Sequence, residues 1–269
     1  CLVGSEMCIR DSFNILPTNG LCSNQDIEIQ NKTTVEFGWL TKVEVFWDLA
    51  NNPTVFEVDD DPQVDEIYKH RYVNFQVPAT RTFQVRLRAY SGVICVSDVV
   101  KTITVNASPL TSFAPMPGIC LDAVPRQITE ATEATNTPGG VFTGPGVSAT
   151  GLFNPAAAGV GTHLIRYTVT APNGCSHFSE QTIEVWPRPT AQLAVQLPNC
   201  ERNAITFNSN GSVANANSLA SWSWNFGDGT PAVVRNNGNP VQHTFAAFGD
   251  YNVNLTVTNN RGCVSTPAP

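Results

Sequence analysis

Cysteine spacing constrains this chain more than any other feature. Eight cysteines occur in 269 residues, and six of them, Cys22, Cys95, Cys120, Cys175, Cys200 and Cys263, lie beyond the first twelve positions. Cys95 and Cys120 are 25 residues apart, and so are Cys175 and Cys200. Between them the text repeats at an offset of 80: Thr102, Ile103, Val105, Pro109 and Ala114 recur as Thr182, Ile183, Val185, Pro189 and Ala194. A last strand, a proline-containing linker and a new first strand produce such a pattern. The repeat unit is then a domain with one cysteine early and one late. On this reading the pairs are Cys22–Cys95, Cys120–Cys175 and Cys200–Cys263, each stabilising its domain by roughly 4 kcal/mol through loop closure. No CxxC occurs and no His is spaced with Cys as a ligand, so disulfides in an oxidising compartment are expected rather than zinc.

The first twelve residues, CLVGSEMCIRDS, do not resemble the rest. They back-translate without strain to a transposase-type sequencing-library adapter read in frame. They carry neither the basic start nor the apolar core of a signal peptide. Residues 1–12 are therefore expected to be a sequencing artefact outside the fold. The linkers NASPLT and WPRPTA divide the remainder into 13–107, 108–188 and 189–269. The first two domains run from their late cysteine into strands ending TITV and TIEV, whereas Cys263 is followed only by VSTPAP. The third domain is expected to lack its last strand.

Strand periodicity dominates all three stretches. KVEVFWD, TFQVRLRAY, SWSWNF and YNVNLTVT alternate apolar and polar residues at period two, and Gly, Asn and Pro clusters such as NTPGG and NNGNP separate such runs. Nineteen Gly and nineteen Pro suit many turns between short strands. No segment shows a helical period with caps; ITEATEAT at 128–135 comes nearest, and its β-branched residues favour extended chain. The expected fold class is all-β, with three immunoglobulin-like β-sandwich domains in tandem. No apolar run approaches the roughly 20 residues of a membrane span. A net charge of −7 without a basic block argues against nucleic acid as a partner.

The third stretch carries Trp224-Asn225-Phe226-Gly227-Asp228-Gly229-Thr230, then His243-Thr244-Phe245, then Gly249-Asp250-Tyr251 leading into a strand. It resembles the PKD domain, with Asn225 where the family prefers Asp. The resemblance implies a seven-stranded sandwich with no catalytic residues. The first stretch resembles a divergent copy: Trp47-Asp48 stands for Trp224-Asn225 and His70-Arg71-Tyr72 for His243-Thr244-Phe245. Its Gly-Asp-Gly turn is missing and an acidic insertion lies nearby. The second stretch, with Phe142, Phe153, His163, Tyr167 and Asn173-Gly174-Cys175, resembles an immunoglobulin-like repeat found beside PKD domains. Those repeats occur in large surface proteins of gliding, outer-membrane-bearing bacteria. That likeness implies a long secreted chain exported by a type IX-like route, or an adhesin.

No HExxH helix, GxSxG elbow, Walker loop or GxGxxG fingerprint occurs, so no enzyme is expected and no catalytic residue is assigned. His70 and His243 read as structural hydrogen-bonders. The acidic stretch EVDDDPQVDE reads in two ways. Asp59, Asp60, Asp61, Asp65 and Glu66 supply hard oxygen ligands for calcium, or they form a solvated loop. No cofactor other than calcium is expected. Asp228 reads as a turn-former, and Trp39 and Trp186 are unplaced by the sequence.

The expected function is a structural or adhesive spacer of a large extracellular or cell-surface protein, projecting binding domains toward protein or glycan ligands. At about 3.3 Å per strand residue, three such modules span roughly 100 Å. The alternative is a set of substrate-targeting accessory domains of a secreted hydrolase. A third reading, a filament subunit, has the last domain accept a strand from a partner.

Overall fold

The computed structural model describes residues 9–18, 20–36, 38–92, 95–134, 139–196 and 203–269. Its elements are almost all strands. The chain divides into two compact units, one of residues 1–112, 132–140 and 168–179, the other of residues 113–131, 141–167 and 180–269.

The first unit opens with β1 (Ile9–Arg10), β2 (Phe13–Leu16), β3 (Asp26–Asn31) and β4 (Thr34–Val35). It continues with β5 (Lys42–Phe46), β6 (Glu57–Asp59), β7 (Ile67–Arg71), β8 (Thr80–Ser91) and β9 (Cys95–Asn106). One sheet has the order β2-β3-β7 and the other β6-β5-β8-β9, while β1 pairs with β4. Alternation along β8 buries Val85, Leu87 and Ala89 against Val43 and Val45 of β5 and Ile27 and Ile29 of β3. The other face of β8 carries Arg86 and Arg88. This is the half-buried strand pattern that period-two sequences dictate.

Two expectations change here. Residues 9–12 belong to this fold: Ile9 pairs with Val35, lies in the core at 2% exposure, and Lys32 N–H donates to Ser12 O at 2.8 Å. The apolar ring of Val35, Phe13 and neighbouring strands accommodates Ile9 whatever its codon history. Residues 1–8 lie outside the described residues. In addition, Glu57–Asp59 is not loop but strand, because Val45 to Val43 of β5 offer it a ladder partner.

Next in chain order come β10 (Thr111–Phe113), β11 (Ile119–Cys120), β12 (Arg126–Gln127), β13 (Ala131–Glu133), β14 (Val141–Thr143) and β15 (Leu152–Phe153). They are followed by α1 (Pro155–Ala158), β16 (Gly161–Thr170) and β17 (Ser176–Trp186). In the second unit residues 119–120, 180–186, 161–167 and 141–143 form the sheet order β11-β17-β16-β14, and a pair joins β12 to β15. Phe113, Ile128, Phe142, Phe153, Ile165, Ile183 and Val185 form its first core. The single helical turn is too short to show a period in the sequence. Its signal is local: Asn154 Oδ1 accepts from Ala156 N–H at 3.1 Å and Ala157 N–H at 3.3 Å, with Pro155 at the first helical position.

The second unit's other core lies among β18 (Ala194–Val195), β19 (Ile205–Asn208), β20 (Leu219–Asn225), β21 (Val233–Arg235), β22 (Val241–His243) and β23 (Asn254–Asn259). Two three-stranded sheets, β18-β19-β22 and β21-β20-β23, enclose Phe207, Trp222, Trp224, Phe226, Val241, Leu255 and Val257. No described strand follows β23, and residues 264–268 touch its edge through isolated bridges. Val264 bridges to Thr258, Ala268 bridges to Leu255, and Ser265 exchanges bonds with Val257.

The disulfides overturn the expected pairing. The structure joins Cys22 to Cys175 and Cys120 to Cys263. The reason is the length of the last strand. Cys22 forms a parallel bridge with Asn106, the final residue of β9, whereas Cys95 is its first. Eleven residues of strand separate the two ends, about 36 Å, against the roughly 6 Å between Cα atoms that a disulfide spans. Eighty residues on, the same arrangement recurs. Cys120 pairs with Trp186 at the end of β17, while Cys175 immediately precedes its start. Each observed bond therefore links the early cysteine of one repeat to the late cysteine of the next. Cys200 lies outside the described residues, and Cys95 is half-buried at the start of β9.

Candidate functional site

The residues singled out by sequence gather at two places, one in each unit. In the second unit the turn after β20 is shaped by its side chains. Asn225 Oδ1 accepts from Gly227 N–H at 3.0 Å, and Gly227 holds φ at +73°. Asp228 Oδ1 accepts from Thr230 N–H at 3.1 Å and from its hydroxyl at 2.5 Å. This is an Asx-type turn, in which a short polar side chain replaces a backbone partner. It delivers Asp228 Oδ2 to 2.7 Å from His243 Nε2. The Thr230 contacts come first, and the His243 contact second, in holding the Asp228 carboxyl down to about 2. The His243 ring lies flat on Phe226, centroids 3.8 Å apart and 4° from parallel, and meets Phe245 edge-on at 4.7 Å. Tyr251 stacks on Phe245 at 4.2 Å and donates its hydroxyl to Ala247 O at 2.8 Å. Trp224 is fully buried, while Gly229 at φ +86° continues the turn.

Residues 186–268 match the family model for the PKD domain. The match takes in every residue of this cluster. No curated protein matches the chain. Among solved structures it is similar to carbohydrate-binding modules of the β-sandwich superfamily, at 11% identity over 94% of this chain and 85% of that one, with a TM-score of 0.31. It is similar to a 1.5-MDa bacterial ice-binding adhesin, at 8% identity over 97% and 95%, TM-score 0.31. It is also similar to domains from titin, at 10% identity over 98% and 97%, TM-score 0.30. Likeness this slight carries no functional inference.

The first unit repeats the aromatic cluster of the PKD region with different surroundings. His70 stacks on Trp47 at 5.1 Å and 15°, and meets Tyr72 edge-on at 4.6 Å and 79°. Trp47 thus plays the part of Phe226, a role the sequence comparison with Trp224 did not reveal. Tyr72 stacks on Phe83 at 3.9 Å, and its buried hydroxyl donates to Trp47 O at 2.5 Å. Burial, opposed by the charges of Glu57 and Asp48, lowers the His70 pKa below its ordinary value. A cavity of about 490 Å³ opens beside this ring.

The acidic stretch finds partners within the protein. Asp59 Oδ2 accepts from the Tyr68 hydroxyl at 2.7 Å and Oδ1 from Asp61 N–H at 3.0 Å. Burial alone would raise the Asp59 carboxyl; the Tyr68 and Asp61 bonds outweigh it and the net direction is down. The Tyr68 hydroxyl is pushed well above its usual range by burial and by Asp59. Glu66 Oε2 accepts from Gln63 N–H at 2.9 Å, Asp65 pairs with Lys32, Asp61 Oδ1 accepts from Gln63 Nε2 at 3.5 Å, and Asp60 is exposed. Among the described residues no three acidic, His or Cys side chains gather as a metal site. Trp39, unplaced by the sequence, is 76% exposed, whereas Trp186 is half-buried beneath the Arg261 guanidinium.

Contacts around each disulfide repeat as well. Asn173 Nδ2 donates to Ala107 O at 2.9 Å near Cys22–Cys175. Asn259 Nδ2 donates to Pro187 O at 3.3 Å near Cys120–Cys263. The two acceptors are 80 residues apart. Arg188 adds an ion pair to Asp122 at 3.2 Å and donates to Val264 O at 2.9 Å. No described helix is long and apolar enough to cross a membrane.

Proposed function

We propose that this chain is a non-catalytic, load-bearing segment of a larger extracellular or cell-surface protein, holding binding domains away from their anchor. The observation that carries the reading is the staggered pair of disulfides, Cys22–Cys175 and Cys120–Cys263. Their closed rings overlap over residues 120–175, so tension applied to the chain ends passes through both bonds in series. Bonds of this kind persist in oxidising compartments. Each closes so long a loop that the chain-entropy account assigns it about 5 kcal/mol.

Pulling the oxidised chain by its ends tests this directly. Tension entering at Cys22 crosses to Cys175, runs back to Cys120 and crosses to Cys263. At about 3.5 Å per residue, roughly 80 residues bear load when oxidised, extending to about 300 Å, against about 900 Å for the whole chain when reduced. A single-molecule force measurement with and without reductant reads the difference. Equal extension in the two states would overturn the reading.

A further inference from the structure

The two aromatic–histidine clusters differ in what faces the histidine. In the PKD region the Asp228 carboxylate closes the cluster, 2.7 Å from His243 Nε2. In the first unit the Gly-Asp-Gly turn is absent from the sequence, and residues 48–56 take another path. No carboxylate caps His70, whose ring makes no hydrogen bond among the described residues. Its edge lines the cavity of about 490 Å³, within the roughly 300–1,000 Å³ of small-molecule sites.

We propose that this cavity is a binding site for a neutral, hydroxyl-bearing ring, the chemistry of one sugar residue of a glycan. Three features of the lining select that class. Phe56, Val73 and Phe83 supply apolar wall; Phe56 leans on the buried Phe46 at 4.7 Å yet stays 42% exposed, and Val73 is exposed. Asp48, Asn52 and His70 add polar groups to the same lining. An uncharged imidazole there offers one donor and one acceptor, matching a hydroxyl that both gives and takes a hydrogen bond. The formal charges of the lining balance, and each charged group has a hydrogen-bond partner. Arg71 is held by Asp26 at 2.8 Å, Arg81 donates to Val77 O at 3.2 Å, and Glu57 accepts from Trp47 Nε1 at 3.1 Å. Asp48 takes the amides of Asn51 and Asn52. Two carboxylates and two guanidiniums in the lining sum to zero formal charge, which suits a neutral ligand better than an ion.

The site deepens the function proposed above by giving this segment a ligand of its own, and it stands or falls separately. The test is an NMR titration of the full oxidised chain, following the Trp47 indole N–H and the His70 ring. Probes are the methyl glycosides of glucose, galactose, mannose and N-acetylglucosamine, to about 100 mM because single-sugar contacts are near millimolar. Acetate and tetramethylammonium serve as charged controls. The expected result is a saturable shift at both resonances with at least one glycoside. The affinity should fall at least about tenfold in Asn52→Ala and in His70→Phe, the loss of one net hydrogen bond. Asn52 is exposed, so that variant keeps the test open if His70→Phe disturbs the stack. No shift with any glycoside overturns the proposal. So does a shift with acetate or tetramethylammonium alone, or a glycoside shift that both variants leave unchanged. None of these outcomes alters the force-extension result.

Discussion

Cys22 sits beside Asn106, tied by a bond from Asn106 N–H to Leu21 O at 2.8 Å and one from Ser23 N–H to Asn106 O at 2.9 Å. These bonds place Cys22 at the far end of β9 from Cys95, where Cys175 of the following repeat meets it. Proteolysis of the unreduced chain followed by mass spectrometry should yield peptides linking Cys22 to Cys175 and Cys120 to Cys263. A peptide linking Cys22 to Cys95 would contradict the register of β8 and β9. Replacing Cys120 and Cys263 together by Ser should destabilise the chain by a few kcal/mol, up to the roughly 5 kcal/mol of the chain-entropy account.

Acid should loosen the PKD region early. The Asp228 carboxyl is held at about 2 against an ordinary 3.8, first by Thr230 and then by His243. A group whose folded pKa is depressed contributes stability above its unfolded value and loses it as pH falls through the folded one. That contribution is therefore complete above about pH 4 and gone below about pH 2. Thermal unfolding across this range should show a falling midpoint, and Asp228→Asn should flatten that part of the profile while lowering the midpoint at neutral pH. An Asp228→Asn chain with the same acid profile would mean that other carboxylates govern it.

Gly227 is a position where only glycine serves. It holds φ at +73°, and a Cβ there would meet the carbonyl oxygen of Asn252 at 2.5 Å. Backbone cannot give way as a side chain can. Gly227→Ala should cost roughly 1–3 kcal/mol, read by denaturant unfolding, because strain and clash add. A change below about 0.5 kcal/mol would show that the turn relaxes around the methyl group.

Much of this architecture is legible in the text because burial follows period. Val85, Leu87 and Ala89 alternate in sequence and are buried in space, and Trp222 and Trp224 do the same. The motif around Asp228 announces its turn through Asn225, Gly227 and Gly229. Disulfide partners are another matter. Spacing records where Cys22 and Cys95 lie along the chain, but their separation in space depends on how far β9 runs before the linker. The open cluster at His70 was equally hidden. It depends on what is missing opposite the ring, and a missing Asp228 equivalent looks in sequence like mere divergence. The codon pattern of residues 9–12 says nothing about whether Ile9 finds an apolar groove.

Two tryptophans of equal size should behave oppositely on removal. Trp224 is wholly buried between the two sheets of the PKD region, in contact with the core of Phe207, Phe226 and Leu255. Trp39 is 76% exposed, and its backbone carbonyl accepts from the Ser91 hydroxyl at 3.0 Å. Truncating a buried Trp costs roughly 3–5 kcal/mol through lost burial and the cavity left behind, whereas surface changes stay within about 0.5 kcal/mol. Trp224→Ala should therefore unfold the PKD region at much lower denaturant, and Trp39→Ala should leave the midpoint where it is. Intrinsic fluorescence supplies a second reading: quenching by a soluble agent should fall measurably in Trp39→Ala and hardly change in Trp224→Ala. A large destabilisation by Trp39→Ala would mean that its indole packs against the protein rather than facing solvent.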